Sequence, residues 1–360
     1  MKGNDKTTRR AFFGQVAAGS FMVNALSGMT QKLFSDNGRS IENQHSGKGI
    51  FMGSDKKFVP VMITPYHSSL KIDFDTLSRL IDFYLASGAK GFFANCLSSE
   101  MYNLDNEERL ALVTHVVKRV NGSVPVVATG SFGKTIEARA EFAKKMYDTG
   151  VSGVILITSH FANSDESDTT LIQNFDKFLS LTNPIPLGTY ECPSPYKRIL
   201  TPEVLRYLLA TNRLIYHKDT TIDLDKIKMK LEITKNSKLE FYDAHSPNTM
   251  FSLQMGVKGM SCIAGNFYPE IFSWMCNNFN NPKRQEDVKW LQSELTLADS
   301  IISTNYPLSS KYFLQKRGVQ MEINSRTTKS SLNIESKETL NKMHKRMLEW
   351  HMRIGIKSEW

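Results

Sequence analysis

Leu214-Ile215-Tyr216-His217-Lys218-Asp219-Thr220-Thr221 is the stretch from which the fold can be read. Its first four residues run without polar–apolar alternation, the pattern of a strand covered on both faces in a parallel sheet. Amphipathic runs at 202–210 and 224–234 flank it, and the same beat continues outward in both directions. Strands are predicted at 58–64, 91–96, 124–129, 153–158, 186–190, 214–218, 239–243 and 259–264. Helices are predicted between them at 74–87, 106–120, 136–149, 169–181, 202–210, 224–234 and 247–255, with one at 269–279 after the last strand. Asp105 ahead of Asn106-Glu107-Glu108 is an N-cap with an acidic first turn, and Pro202 takes the first helical position. Gly88, Gly150 and Gly256 stand where helices close. Eight strand–helix units predict an α/β fold, a (β/α)8 TIM barrel. A doubly wound sheet is disfavoured because no GxGxxG follows the first strand. Runs at 285–304, 309–316 and 338–352 add a C-terminal helical extension.

The 360 residues include 45 Lys+Arg and 36 Asp+Glu, a net charge of +9, and 41% are hydrophobic, an ordinary globular composition. None of the four cysteines lies in a CxxC run, so no metal site is expected. No stretch approaches the roughly 20 continuous apolar residues of a membrane span. Residues 1–30 have the layout of an export signal: Lys2, Lys6, Arg9 and Arg10 precede a weakly apolar run. Thr8-Arg9-Arg10-Ala11-Phe12-Phe13 resembles a twin-arginine signal, which predicts a periplasmic protein with no stable membrane anchor after cleavage. The alternative is a cytoplasmic protein with an amphipathic N-terminal helix. Residues 31–56 read as a linker, 57–282 as the barrel and 283–360 as C-terminal helices. The late basic residues, Lys311, Lys316, Arg317, Arg326, Lys329, Lys342, Lys345 and Arg346, are assigned to a solvated face. Without interleaved aromatics they do not make a nucleic-acid stripe.

In a parallel barrel the chemistry sits at the carboxyl ends of the strands. Lys218 ends the sixth predicted strand, where burial favours the neutral amine, a nucleophile for a carbonyl carbon. Tyr190 ends the fifth, and its phenol suits proton transfer. The passive alternatives are a lysine paired to Asp219 or Asp243 and a packed aromatic. His245, after the seventh strand, is either a substrate contact or a capping residue. Cys96 and Cys262 are either disulfide-bonded or, as the better reading, free small hydrophobes.

These residues stand in an order that resembles the family of dihydrodipicolinate synthase and N-acetylneuraminate lyase, over 58–272 closely and over the C-terminal helices more loosely. The similarity rests on Ile63-Thr64-Pro65, Cys96-Leu97-Ser98-Ser99-Glu100, Tyr190-Glu191-Cys192-Pro193, Lys218-Asp219-Thr220-Thr221, Gly259 and Asn266-Phe267-Tyr268-Pro269. It implies that Lys218 forms an imine with a 2-oxo acid while Tyr190 relays protons. It implies that Ser98 and Ser99 receive the substrate carboxylate and that Thr220 and Ser261 are substrate-binding. It further implies no cofactor, no metal and a homo-oligomer, dimer or tetramer. Three departures stand out. Leu97 replaces a hydroxyl residue, Phe161 replaces a second tyrosine, and Pro195 replaces an arginine. His160 is either a substitute for the lost hydroxyl or a surface-loop histidine, and Arg198 reaches the mouth only if its loop is rebuilt. The missing arginine and the export signal argue against dihydrodipicolinate synthesis itself, a cytosolic step. The expected function is a Schiff-base lyase or aldolase acting on a 2-oxo acid, such as a 2-keto-3-deoxy sugar acid or sialic acid. The alternatives are an imine-dependent hydro-lyase and a degenerate barrel that only binds.

Overall fold

The computed structural model describes residues 55–357. The export signal at 1–30 and all but the last two residues of the linker at 31–56 lie outside the described residues. The eight strands are β1 (Lys57–Phe58), β2 (Phe92–Ala94), β3 (Val126–Thr129), β4 (Gly153–Ile157), β5 (Leu187–Tyr190), β6 (Leu214–Asp219), β7 (Glu240–Asp243) and β8 (Gly259–Met260). All pair in parallel, in the order β1-β8-β7-β6-β5-β4-β3-β2. The ring closes where the chain leaves β1: Phe93 N donates to Pro60 O at 3.0 Å and Met62 N to Phe93 O at 3.1 Å. The predicted first strand is therefore split, pairing with β8 on one side of Pro60 and with β2 on the other. Pro60 has no N–H to give a ladder, which suits it to this switch.

The predicted eighth strand is also shorter than expected, because the chain coils into a 3-10 turn at Ile263–Asn266. Gly259 is required where β8 meets β1, since a Cβ there would stand 1.7 Å from Lys57 O.

Helices follow the strands: α1 (Phe74–Ala86), α2 (Asn106–Val120), α3 (Ile136–Asp148), α4 (Asp168–Leu181), α5 (Pro202–Ala210), α6 (Leu224–Thr234), α7 (Thr249–Met255) and α8 (Pro269–Asn278). The Asp105–Glu108 capping box opens α2, and Thr201 caps α5 with Pro202 at its first turn. The extension is α9 (Gln285–Ser303), α10 (Leu308–Lys316) and α11 (Ile334–Ile354), and it forms one compact unit with the barrel. Helix α11 starts four residues before the predicted 338 because Asn333 caps it, accepting from Ser336 N.

Two late basic residues depart from the expected solvated face. Lys311 is fully buried and faces Glu100 at 3.4 Å, and buried Arg317 pairs with Glu270 at 2.9 Å. Helical spacing alone did not reveal that this side of α10 and its end pack onto the barrel, where a cation needs a carboxylate partner. Glu100 fastens the same region. One of its oxygens accepts from Ser325 Oγ (2.7 Å), Arg326 N (2.6 Å), Thr327 N (2.9 Å) and Thr327 Oγ1 (3.1 Å). Among the described residues no helix is long and apolar enough to cross a membrane.

Candidate active site

Side chains alternate along β5 and β6, so each strand has an inward and an outward set. The strands are in register at Tyr190 and Lys218, which places both side chains inside the carboxyl end of the barrel. Lys218 Nζ lies 4.5 Å from the centre of the Tyr190 ring and 5.7 Å from that of Phe93. Lys218 is 4% exposed, and burial lowers its pKa; the thiols of Cys96, Cys192 and Cys262 around it act in the opposite direction. Neither carboxylate offered as a passive partner reaches it. Asp219 turns outward, and Asp243 accepts from His245 N at 2.9 Å and from Ser252 Oγ at 2.5 Å. Burial pushes the Asp243 carboxyl up to about 7. Tyr190 is 3% exposed, and burial, then the nearby Cys192 and Cys96 thiols, raise its phenol well above the usual tyrosine range.

The outward set forms a separate charged cluster behind the lysine. Lys230 of α6 is bonded to Glu191 and, at 2.7 Å, to Asp219 Oδ2. His217 Nδ1 meets Thr189 Oγ1 at 2.8 Å, and its Nε2 stands 3.7 Å from Asp219 and 3.8 Å from Glu191. Burial alone would raise the Asp219 carboxyl, but His217 and the Lys230 charge hold it well below the usual range. Glu191, His217 and Asp219 bring three potential metal ligands together. The Lys230 ammonium already occupies the space between the carboxylates, so this grouping is an ion-pair network rather than a cation site.

The predicted substrate contacts separate into those aimed at the mouth and those consumed by the fold. Leu97–Ser99 is a 3-10 turn, whose first N–H groups have no partner within it and suit a carboxylate. Ser98 touches the Tyr306 hydroxyl, which also receives Asn266 Nδ2 at 2.7 Å. Ser99 does not fit its expected role. Its hydroxyl donates to Met62 O at 2.6 Å and accepts from Cys96 N at 3.1 Å, so it builds the loop. The Thr220 hydroxyl is likewise spent on Glu191 O at 2.6 Å. Ser261 Oγ accepts from Tyr216 OH at 3.2 Å, which leaves its own proton free for another acceptor. His245 lies near Asp299 and Lys197; burial lowers its pKa and Asp299 works against that. All four cysteines are free and buried, so Cys96 and Cys262 act as small apolar side chains.

His160 is tied down. Its Nδ1 is 2.6 Å from Ser131 O and its Nε2 is 3.0 Å from Tyr102 OH, and burial lowers its pKa to about 4. Phe161 points away into the helix layer, stacked on Phe175 at 4.4 Å. Arg198 does not reach the mouth, because Asp168 at 2.8 Å and the carbonyls of Asn163 and Glu166 hold its guanidinium. Sequence reasoning missed Tyr102, two residues beyond Glu100, and Tyr306, which arrives from the C-terminal helices. A tyrosine just after the carboxylate-binding loop was the available signal for the first. Nothing in the local sequence marks the second.

A closed parallel barrel with an unpaired lysine and a tyrosine inside its carboxyl end defines the class: a lyase that works through a lysine imine. The dihydrodipicolinate synthetase family model matches residues 55–347, and the chain belongs to that family. Its members are carbon–carbon lyases of the class I aldolase type that use a covalent lysine–pyruvate imine and no cofactor. The chain is 25% identical over 263 residues to a 4-hydroxy-tetrahydrodipicolinate synthase of Oceanobacillus iheyensis, covering 73% of this chain and 88% of the relative. It is 26% identical over 261 residues to the Bacillus subtilis protein of the same name, covering 72% and 88%. Its fold matches YagE, a prophage protein of this family from E. coli K12 crystallised with pyruvate. That match has a TM-score of 0.70 and 19% identity, over 81% of this chain and 98% of that one.

Proposed function

We propose that the protein cleaves or forms a carbon–carbon bond next to the carbonyl of a 2-oxo acid, with Lys218 as the imine-forming residue and Tyr190 as its proton partner. One observation carries this reading: Lys218 Nζ is buried beside Tyr190, burial favours its neutral form, and the nearest acids are engaged elsewhere. The Leu97–Ser98 N–H groups receive the carboxylate, as helix N-termini receive anions. Protonated imine nitrogen then draws electrons from the neighbouring carbon, which makes that bond breakable near neutral pH. A sugar acid or sialic acid suits the site better than the dihydrodipicolinate reaction, because Pro195 takes the arginine's place and Arg198 is committed elsewhere. Thr8–Phe13 supports export by the twin-arginine route to the periplasm, and family membership supports a dimer or tetramer.

The test is borohydride trapping with pyruvate and a panel of 2-oxo sugar acids, read by peptide mass spectrometry. A reduced pyruvyl adduct on the Lys218 peptide, absent in Lys218→Ala, is the expected result. Folded protein that gives no adduct with any of them overturns the reading.

A further inference from the structure

The loop after β2 ends on a residue with a strained backbone. Glu100 closes the Leu97–Ser99 turn, its N–H donating to Leu97 O at 3.0 Å, and it stands at φ 59° and ψ 34°. That is the left-handed region, where a residue with a Cβ stays only when its surroundings hold it. The body of the turn is fastened to the segment after β1. Thr64 Oγ1 donates to Ser99 O at 2.8 Å, and Ser99 Oγ donates to Met62 O at 2.6 Å. Glu100 is fastened elsewhere. It is 3% exposed, and one carboxylate oxygen faces Lys311. The other, Oε2, accepts from Ser325 Oγ, Arg326 N, Thr327 N and Thr327 Oγ1, all in one strap at 325–327.

The strap has anchors of its own. Arg326 grips Glu108 of α2 through Nη1 and Nη2, each at 2.6 Å, and Nη2 also donates to Leu70 O at 2.7 Å. Lys311 Nζ donates to Asn324 O at 2.7 Å, which ties the strap to α10. A strap held from both sides thus meets the strained end of the turn.

We propose that the 325–327 strap, acting through Glu100, holds the Leu97–Ser99 turn in the shape that receives the carboxylate of the 2-oxo acid. The C-terminal extension then sets the affinity for substrate. Ser325, Thr327 and Glu100 are positioning residues, since they act on the turn and do not touch the substrate. The inference rests on the imine reading and on the place that reading gives the carboxylate. Released from the strap, Glu100 leaves the left-handed region and the turn reorients. Lys218 and Tyr190 stand on other strands, β6 and β5, and keep their places. The effect is therefore confined to ligands that carry the carboxylate.

Pyruvate and its methyl ester test this, because both offer the same carbonyl to Lys218 and only the acid carries the charge. Each is titrated against the whole chain and trapped with borohydride. The readout is the concentration that gives half the maximal adduct on the Lys218 peptide. Ser325→Ala/Thr327→Val removes both strap hydroxyls and is expected to raise half-saturating pyruvate about 10-fold. Its maximal adduct, and its half-saturation by the ester, are expected to match the natural protein. Ser325→Ala/Thr327→Ser returns one hydroxyl and is expected to recover part of the loss. Thr327→Val alone, at an exposed position that the fold tolerates, is expected to raise half-saturating pyruvate about threefold. Natural pyruvate half-saturation in these variants, or an equal rise for acid and ester, overturns the strap's role and leaves the imine untouched. Acid and ester that saturate the natural protein alike overturn it as well, by removing the carboxylate from the turn. Absence of any adduct in the natural protein overturns the imine reading, and this inference with it.

Discussion

Lys218 and Lys230 are both buried lysines, one at the end of β6 and the other in the helix that follows it, yet the chain treats them in opposite ways. Lys230 is given two carboxylates, Glu191 and Asp219, on the outer side of the strands. Lys218, on the inner side, is given an aromatic face and thiols. Strand alternation makes the separation possible: neighbouring residues Lys218 and Asp219 project into different layers. An acid beside Lys218 would hold the ammonium form and stop it from attacking a carbonyl. The outer lysine keeps that acid occupied. The difference teaches that a reactive amine depends on where its neighbour's charge is sent as much as on its own burial.

The comparison can be broken by removing each lysine in turn. Lys218→Met is expected to abolish pyruvate trapping entirely and to stabilise the fold by about 0.5–2 kcal/mol, the usual direction when a buried amine kept for chemistry gives way to an apolar side chain. Lys230→Met is expected to do the reverse. It leaves Glu191 and Asp219 as uncompensated buried charges, and denaturant melts should show a loss of about 3–5 kcal/mol. If Lys230→Met proved neutral, the outer network would not be the ion-pair store described here. Tyr190→Phe sharpens the inner half: the imine should still form, while exchange of the pyruvate C3 protons in D2O, followed by NMR, falls by about 100- to 10,000-fold.

The smallest effect is in pH. Burial lowers the folded pKa of Lys218, so over the window from that value up to the ordinary lysine value of 10.5 the unfolded chain binds the extra proton. Wild-type stability gains from this group as pH rises through that window. The stability advantage of Lys218→Met should therefore shrink over the same window, and denaturation curves at several pH values check it. An advantage that grew with pH would mean that Lys218 is held charged.

Much of this was legible in the chain itself. The strand and helix succession is written in short apolar runs and caps, and Lys218 and Tyr190 stand out as polar groups ending such runs. The misplacements share a cause. The family resemblance places Ser99 and Thr220 at the substrate, but a hydroxyl's use depends on which carbonyl lies next to it, here Met62 O and Glu191 O. Lys311 and Arg317 looked like surface charge because their partners, Glu100 and Glu270, lie far back in the sequence. Tyr102 and His160 were readable as residues and unreadable as a pair, since only the folding of two loops together brings them to 3.0 Å.

Glu100 sets an order of events for the chain as it is made. It ends the turn proposed to receive the substrate carboxylate, yet Ser325, which helps to fasten it, lies 225 residues later. At about 5–20 residues per second the ribosome takes on the order of ten seconds or more to supply that segment. During that interval the barrel strands and helices up to α8 are complete, but this carboxylate lacks the groups that will hold it. A chain cut short after α8 would carry every strand of the barrel and leave the turn ahead of Glu100 unlatched. A segment made 225 residues later is thus what fastens the loop after β2.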